Sequence, residues 1–192
     1  LLTNFLTAFS TIEGQAILVH GGGKLATSLA TTLGVSQTMV EGRRITDGET
    51  LKIVTMVYAG YINKNIIAQL QALNVNALGL SGADANLIKA HKRVGTNIDF
   101  GFVGDIDEVN TGFIHQQLLN NTRLVIAPIT HDGAGQLLNT NADTIAQTIA
   151  TAMSNKYKVH LVYGFEKEGV LADVNNEASV ISSINNLTYS KL

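Results

Sequence analysis

Cysteine is absent from this 192-residue chain, which excludes disulfides, thiolate metal sites and cysteine nucleophiles. The absence fits a reducing compartment. No stretch is long and apolar enough to span a bilayer, and no charged segment precedes a short apolar one in the manner of a secretory leader. The expected location is therefore cytoplasmic, with no membrane partner. An excess of basic charge is missing too. Thirteen Lys and Arg face fifteen Asp and Glu, for a formal charge of −2. A dedicated nucleic-acid binder normally shows a basic face, so no nucleic-acid partner is expected. The five histidines, His20, His91, His115, His131 and His160, show no metal-ligand spacing, and no protein metal site is expected. Repeats, low-complexity stretches and long linkers are also lacking. The opening LLTNFLTAF has no initial Met, so the natural start is expected upstream.

What is present is an ordinary globular composition, 45% hydrophobic, enough for one full-sized core or part of a larger domain. QAILVH (15–20) reads as a buried strand. A helix from Lys24 to Leu33 should follow, with Leu25, Ala26, Leu29, Ala30 and Leu33 on one stripe. Residues 46–73 form a long helical tract, opened by a Thr46–Glu49 capping box and bent or divided at Gly60. VNALGL (75–80), RLVIAPI (123–129) and VHLVYGF (159–165) read as further core strands. Residues 86–104 alternate as a β-hairpin, 130–139 is a polar loop, and a helix runs from Ala142 to Met153. Alternating strands and helices predict an α/β fold, a three-layer αβα sandwich with a mainly parallel central sheet. Ligands in such folds sit beyond the carboxyl ends of the strands. The segments 21–23, 81–84, 130–139 and 164–169 should meet there.

Gly21-Gly22-Gly23, between a strand and a helix, suits an anion: bare N–H groups and the helix dipole favour negative charge. The bland reading is a tight turn, but three glycines exceed what a turn needs. The P-loop pattern fails, because Leu18 and Leu25 stand where it needs Gly and Ser or Thr. The dinucleotide pattern is partly met by Gly21, Gly23 and Ala26, with Glu41 near the place of a ribose-binding acid. GRRIT (42–46) offers guanidinium forks suited to carboxylate or phosphate, or simply a solvated basic pair. In NTNAD (139–143), Asn141 suits an N-cap and Asp143 a first helical turn, which leaves Asn139 unexplained, and a ligand-facing role is expected for at least one of these residues. His131-Asp132 lacks an accompanying serine nucleophile. Tyr58, Tyr61, Ile62, Ile66 and Leu70 suit either core or the seam of a homodimer.

Together LVHGGG (18–23), VEGRRIT (40–46), TMVYAG (55–60), NKNI (63–66), ALGLSGAD (77–84), DFGFVGDI (99–106), the segment from Ile126 to Ala146 and FEKEGVL (165–171) resemble the acetylglutamate kinase branch of the amino-acid kinase family. The likeness runs from Leu18 to the end. It implies phosphoryl transfer from ATP, accompanied by Mg²⁺, to the γ-carboxylate of an N-acyl-L-glutamate in arginine biosynthesis. It further implies that Gly22 and Gly23 meet the substrate or the transferring phosphoryl group, Gly22 counting as catalytic. Arg44 would pair with the α-carboxylate, Asn139 hold the substrate, and Asp143 orient the catalytic lysines. Glu166, Lys167, Gly169, Val170 and Leu171 would hold the nucleotide, with Glu166 where relatives often have Asp. A homodimer is expected.

The family's N-terminal Lys-x-Gly-Gly strand and its Gly-Met-x-x-Lys segment do not occur here, and Lys24 and Lys191 lie in other contexts. The expectation is one amino-acid kinase domain over 1–192, incomplete at both ends. Two alternatives remain at this point: a dinucleotide-binding oxidoreductase, and a non-catalytic ligand-binding relative.

Overall fold

The computed structural model describes residues 2–40, 43–95, 97–165, 168–173 and 175–185. The chain divides into two compact units, Leu1–His160 and Leu161–Leu192. The first opens with α1 (Leu2–Ser10), β1 (Ile17–Val19), α2 (Gly23–Thr32), β2 (Met39–Val40) and β3 (Arg43–Arg44). Next come α3 (Gly48–Thr55), a π-helical stretch (Met56–Ile62) and α4 (Asn63–Ala72). Then follow β4 (Ala77–Leu80), β5 (Ile88–Lys92), β6 (Gly104–Val109), α5 (Thr111–Leu119) and β7 (Arg123–Ile126). The unit's last elements are β8 (Ile129–His131), β9 (Leu137–Asn139) and α6 (Ala142–Met153).

The parallel sheet has the order β1-β7-β4, with Leu18 opposite Val125 and Leu78 opposite Leu124. Side chains alternate across a strand, and the central β7 shows the result. Leu124 and Ile126 pack with Ile114 and Leu118 of α5 and Ile145 and Ile149 of α6. Val125, on the opposite face, joins Leu6 and Phe9 of α1 and Ile66 and Leu70 of α4. All three β7 residues are fully buried, each stabilising the fold by about 1.5–3 kcal/mol relative to exposure. Helices thus cover both faces, the αβα layering expected. A third cluster sets Ala26, Ala30, Leu51, Val54, Val57 and Tyr58 against Ala127 and Ile129.

A second, four-stranded sheet has the order β6-β5-β8-β9, antiparallel except between β5 and β8. It holds the expected hairpin, displaced: β5 and β6 place it at 88–109, with 93–103 as the connection. The segment 130–139, expected as a polar loop, is largely a hairpin of β8 and β9. Its polarity belongs to a tight turn in which Asp132 accepts hydrogen bonds from the Ala134 and Gln136 amides (2.7 and 3.0 Å).

Other details also differ from expectation. On α2 the buried stripe is Ala26 and Ala30, while Leu25 and Leu33 are exposed. The N-cap of α3 is Asp47, whose carboxylate accepts the Thr50 amide at 2.8 Å. Thr46 is fully buried and bridged to Gly101 instead, so tertiary packing takes it from the cap. Residues 159–165 form no strand; they have no ladder partner among the described residues, and Val162 is 84% exposed. An apolar run becomes a strand only where a neighbour satisfies its amides and carbonyls. The dinucleotide alternative needs residues 35–40 as a parallel strand beside β1. β2 instead pairs antiparallel with β3, and β1 lies beside β7. That framework is absent among the described residues, and Glu41 lies outside them.

Parallel pairing puts the ends of β1, β7 and β4 at one edge, so 20–23, 81–82 and 127–128 gather there. The second unit, described by itself, contains a small antiparallel turn. Leu171 bridges Val180, and the Ile181 amide donates to the Val170 carbonyl at 2.8 Å.

Candidate functional site

His20 follows the end of β1 at Val19, Gly22 caps α2, and every carbonyl of the glycine loop is engaged. The Gly21 carbonyl faces His20 Nδ1 at 3.0 Å. The Gly22 carbonyl accepts the Ala26 amide at 3.0 Å. The Gly23 carbonyl accepts from Arg44 Nη2 (3.2 Å) and the Thr27 hydroxyl (2.9 Å). Beneath the loop runs the π-helical stretch. A Cβ on Gly22 would stand 2.8 Å from the Tyr58 ring and against Ile62. Only glycine permits so close an approach, and π-helical turns are concentrated at functional sites.

Arg44 is 9% exposed. β3 delivers its guanidinium to the mouth of α2, where Nη1 donates to Gln37 Oε1 and Nη2 also donates to Thr27 Oγ1 at 2.9 Å. Burial raises the Tyr58 phenol above its ordinary range, and the neighbouring Arg44 charge opposes that rise. These partners are neutral, and Arg44 has no carboxylate partner among the described residues. A buried cation without a counter-ion is costly. An anionic ligand would relieve that cost.

Asn139, half-buried at the end of β9, donates from Nδ2 to Thr46 Oγ1 at 3.0 Å. Thr46 Oγ1 donates in turn to the Arg44 carbonyl at 3.4 Å. Gly23, Arg44 and Asn139 therefore form one connected group, although they are far apart in sequence. Asp143 is exposed in the first turn of α6. Asn141 caps that helix as expected, accepting the Thr144 amide at 2.9 Å.

Among the expected nucleotide residues, Glu166 and Lys167 lie outside the described residues. Gly169, Val170 and Leu171 belong to the small turn of the second unit, where a Cβ on Gly169 would stand 2.7 Å from Val180. His131 accepts the Gly133 amide at 3.1 Å and serves the β8–β9 turn.

Sequence reasoning missed His20 and Asn63. Asn63 is fully buried; its Nδ2 donates to the Val125 carbonyl at 3.0 Å and lies 3.1 Å from His20 Nε2. The available signals were a histidine immediately before the glycines and a polar NKN triplet inside an amphipathic helix.

The amino acid kinase family profile matches residues 2–192. Acetylglutamate kinase of Phocaeicola vulgatus is 56% identical over 183 residues, covering 95% of this chain and 71% of that protein. The enzyme of the same name from Cytophaga hutchinsonii is 53% identical over 192 residues, all of this chain and 73% of its own. Among solved structures, a Streptococcus mutans protein superposes with a TM-score of 0.70 at 24% identity, covering 79% of this chain and 61% of that one. An N-acetylglutamate synthase from Neisseria gonorrhoeae, complexed with coenzyme A and N-acetyl-glutamate, gives 0.64 at 22%, covering 79% and 34%. These two likenesses concern the fold alone. The layered parallel sheet, the glycine loop at its edge and the full-length profile match lead to one conclusion: the chain belongs to the amino acid kinase family.

Proposed function

We propose that this protein transfers the γ-phosphoryl group of ATP to the γ-carboxylate of an N-acyl-L-glutamate, N-acetylglutamate foremost, within arginine biosynthesis. The observation that carries the reading is the buried Arg44 guanidinium beside the glycine loop, surrounded by neutral acceptors. More than half identity to acetylglutamate kinases supports the substrate.

In the reaction a γ-carboxylate oxygen attacks the γ-phosphorus. The new O–P bond forms as the bond to the bridging oxygen breaks, and that electron pair leaves on ADP. No proton need move, so catalysis consists of positioning and charge stabilisation. Arg44 would fork onto the substrate α-carboxylate, and Asn139 would hold the acylated backbone. The Gly22 and Gly23 amides would donate to the transferring oxygens, as an oxyanion hole does. Asp143 would orient catalytic lysines, which the family supplies from motifs that this sequence does not contain. The nucleotide would be held by 166–171, through Glu166, Lys167, Gly169, Val170 and Leu171.

Among the described residues no group of three or more His, Asp or Glu is placed to hold a metal ion. Mg²⁺ is therefore proposed only as a companion of the ATP phosphates. One kinase domain over both units, a cytoplasmic location and a homodimer complete the reading; no described helix is long and apolar enough to cross a membrane.

A coupled ADP-release assay on the full-length protein tests it with N-acetylglutamate, N-succinylglutamate and free glutamate. ADP release that depends on an acylated substrate is expected. Release indifferent to all three overturns the proposal.

A further inference from the structure

His20 and Asn63 take no part in the chemistry just described, yet both are buried directly beneath the glycine loop. Their hydrogen bonds admit one arrangement. The Lys64 ammonium can only donate, and it reaches Asn63 Oδ1 at 3.1 Å and the Gly79 carbonyl at 2.9 Å. The Val125 carbonyl can only accept, so it requires Nδ2 of Asn63. These two partners fix the orientation of the amide. Its second Nδ2 hydrogen then points at His20 Nε2, which must be an unprotonated acceptor. The proton of the neutral ring is consequently on Nδ1, and it is donated to the Gly21 carbonyl.

Gly79 makes room for this arrangement. A Cβ there would strike the Asn63 side chain and stand 2.8 Å from Ile67. Burial, only partly offset by the Gly21 contact, holds the imidazole below its ordinary range and keeps it neutral.

The consequence lies in the next amide. A trans peptide is planar, with C=O and N–H pointing in opposite directions. Fixing the Gly21 carbonyl therefore fixes the direction of the Gly22 N–H. We infer that His20, held by Asn63, is a positioning residue that aims the Gly22 N–H at the phosphoryl group. The inference rests on the proposed kinase function for its purpose and on the hydrogen-bond geometry for its mechanism.

The test uses His20→Ala, His20→Asn and Asn63→Ala in the full-length protein. In His20→Asn, the side-chain Nδ2 can replace the ring Nδ1 as donor to Gly21. Misaiming one oxyanion-type donor should lower kcat in His20→Ala by ~30-fold or more. KM for N-acetylglutamate should stay within about threefold, since Arg44 and Asn139 bind the ground state. His20→Asn should recover most of the lost kcat, and Asn63→Ala should fall between wild type and His20→Ala. Unchanged kcat in His20→Ala overturns the inference, as does a His20→Asn variant no better than alanine.

Should the wild type show no acylglutamate-dependent turnover, the functional reading fails, and amide hydrogen exchange at Gly22 decides the positioning role separately. Exchange accelerated in His20→Ala and restored in His20→Asn upholds it. Identical exchange in all three proteins refutes it. If His20→Ala does not fold, Asn63→Ala and His20→Asn carry the same readouts.

Discussion

Two arginines of this chain occupy opposite electrostatic situations. Arg93, after β5, grips Asp105 with Nε at 3.1 Å from both carboxylate oxygens and Nη2 at 2.6 Å from Oδ1. Its guanidinium also lies over Phe100 at 5.7 Å. The hydrogen bond to Asp105 holds it above its ordinary range, so its charge is consumed within the protein. Arg44 is equally well anchored, but by a glutamine, a threonine and a backbone carbonyl. Hydrogen bonds orient it without neutralising it. An arginine matched by a carboxylate serves the fold, while one matched by neutral oxygens among the described residues keeps a charge that an anionic ligand would satisfy.

The strongest way to break this contrast is Arg44→Ala. It should raise KM for N-acetylglutamate by ~100-fold, the equivalent of one or two charge-assisted hydrogen bonds. Arg44→Lys should recover little, because an ammonium lacks the planar fork. Steady-state kinetics on both variants checks this, and unchanged KM would remove Arg44 from the site. Gly22→Ala comes next. Its methyl would press on Tyr58 and Ile62, costing about 1–3 kcal/mol of stability by overpacking; kcat should fall as the loop shifts. Denaturant midpoints and kcat measure the two parts.

Arg93→Ala should be milder and of the opposite kind. Its partner Asp105 is 38% exposed, so solvent screening limits the loss to about 1 kcal/mol, with KM unaltered. A KM change as large as that of Arg44→Ala would dissolve the distinction.

The smallest effect concerns pH. Burial makes His20 harder to protonate in the folded chain than in the unfolded one. The unfolded state therefore binds the extra proton first. Stability is complete above the ordinary imidazole pKa of about 6.5 and declines as pH falls below it. Denaturant midpoints of wild type and His20→Asn at neutral and mildly acidic pH should show a shallower decline in the variant.

The strands that build the parallel sheet were legible in the sequence because their apolar runs are buried by the chain itself; β1, β4 and β7 fall within the predicted segments, and α6 begins and ends where predicted. Misreadings occurred where distant partners decide. Thr46 looks like a cap until Gly101 bridges it, and 159–165 looks like a strand but has no ladder partner among the described residues. The Gly-Asp signals at 132–135 mark a hairpin turn as readily as a loop. At the candidate site, Gly22 and Gly23 were singled out by residue type and Arg44 and Asn139 by the family resemblance, and hydrogen bonds connect Gly23, Arg44 and Asn139 in space. His20 and Asn63 were not, because their role depends on a shared hydrogen bond between residues 43 positions apart.

The π-helical stretch Met56–Ile62 also acts as a phase shifter. An uninterrupted α-helix advances ~100° per residue and would carry one apolar stripe along its whole length. Here α3 contributes Leu51 and Val54 to the cluster beneath α2, whereas α4 contributes Ile66 and Leu70 to the cluster beneath α1. The wider turns between them let one continuous rod serve two cores and still present Asn63 to His20. Length in this segment is therefore rotational information. Removing a single residue such as Gly60 would turn α4 on its axis, taking Asn63 from beneath the glycine loop and Ile66 from the core together.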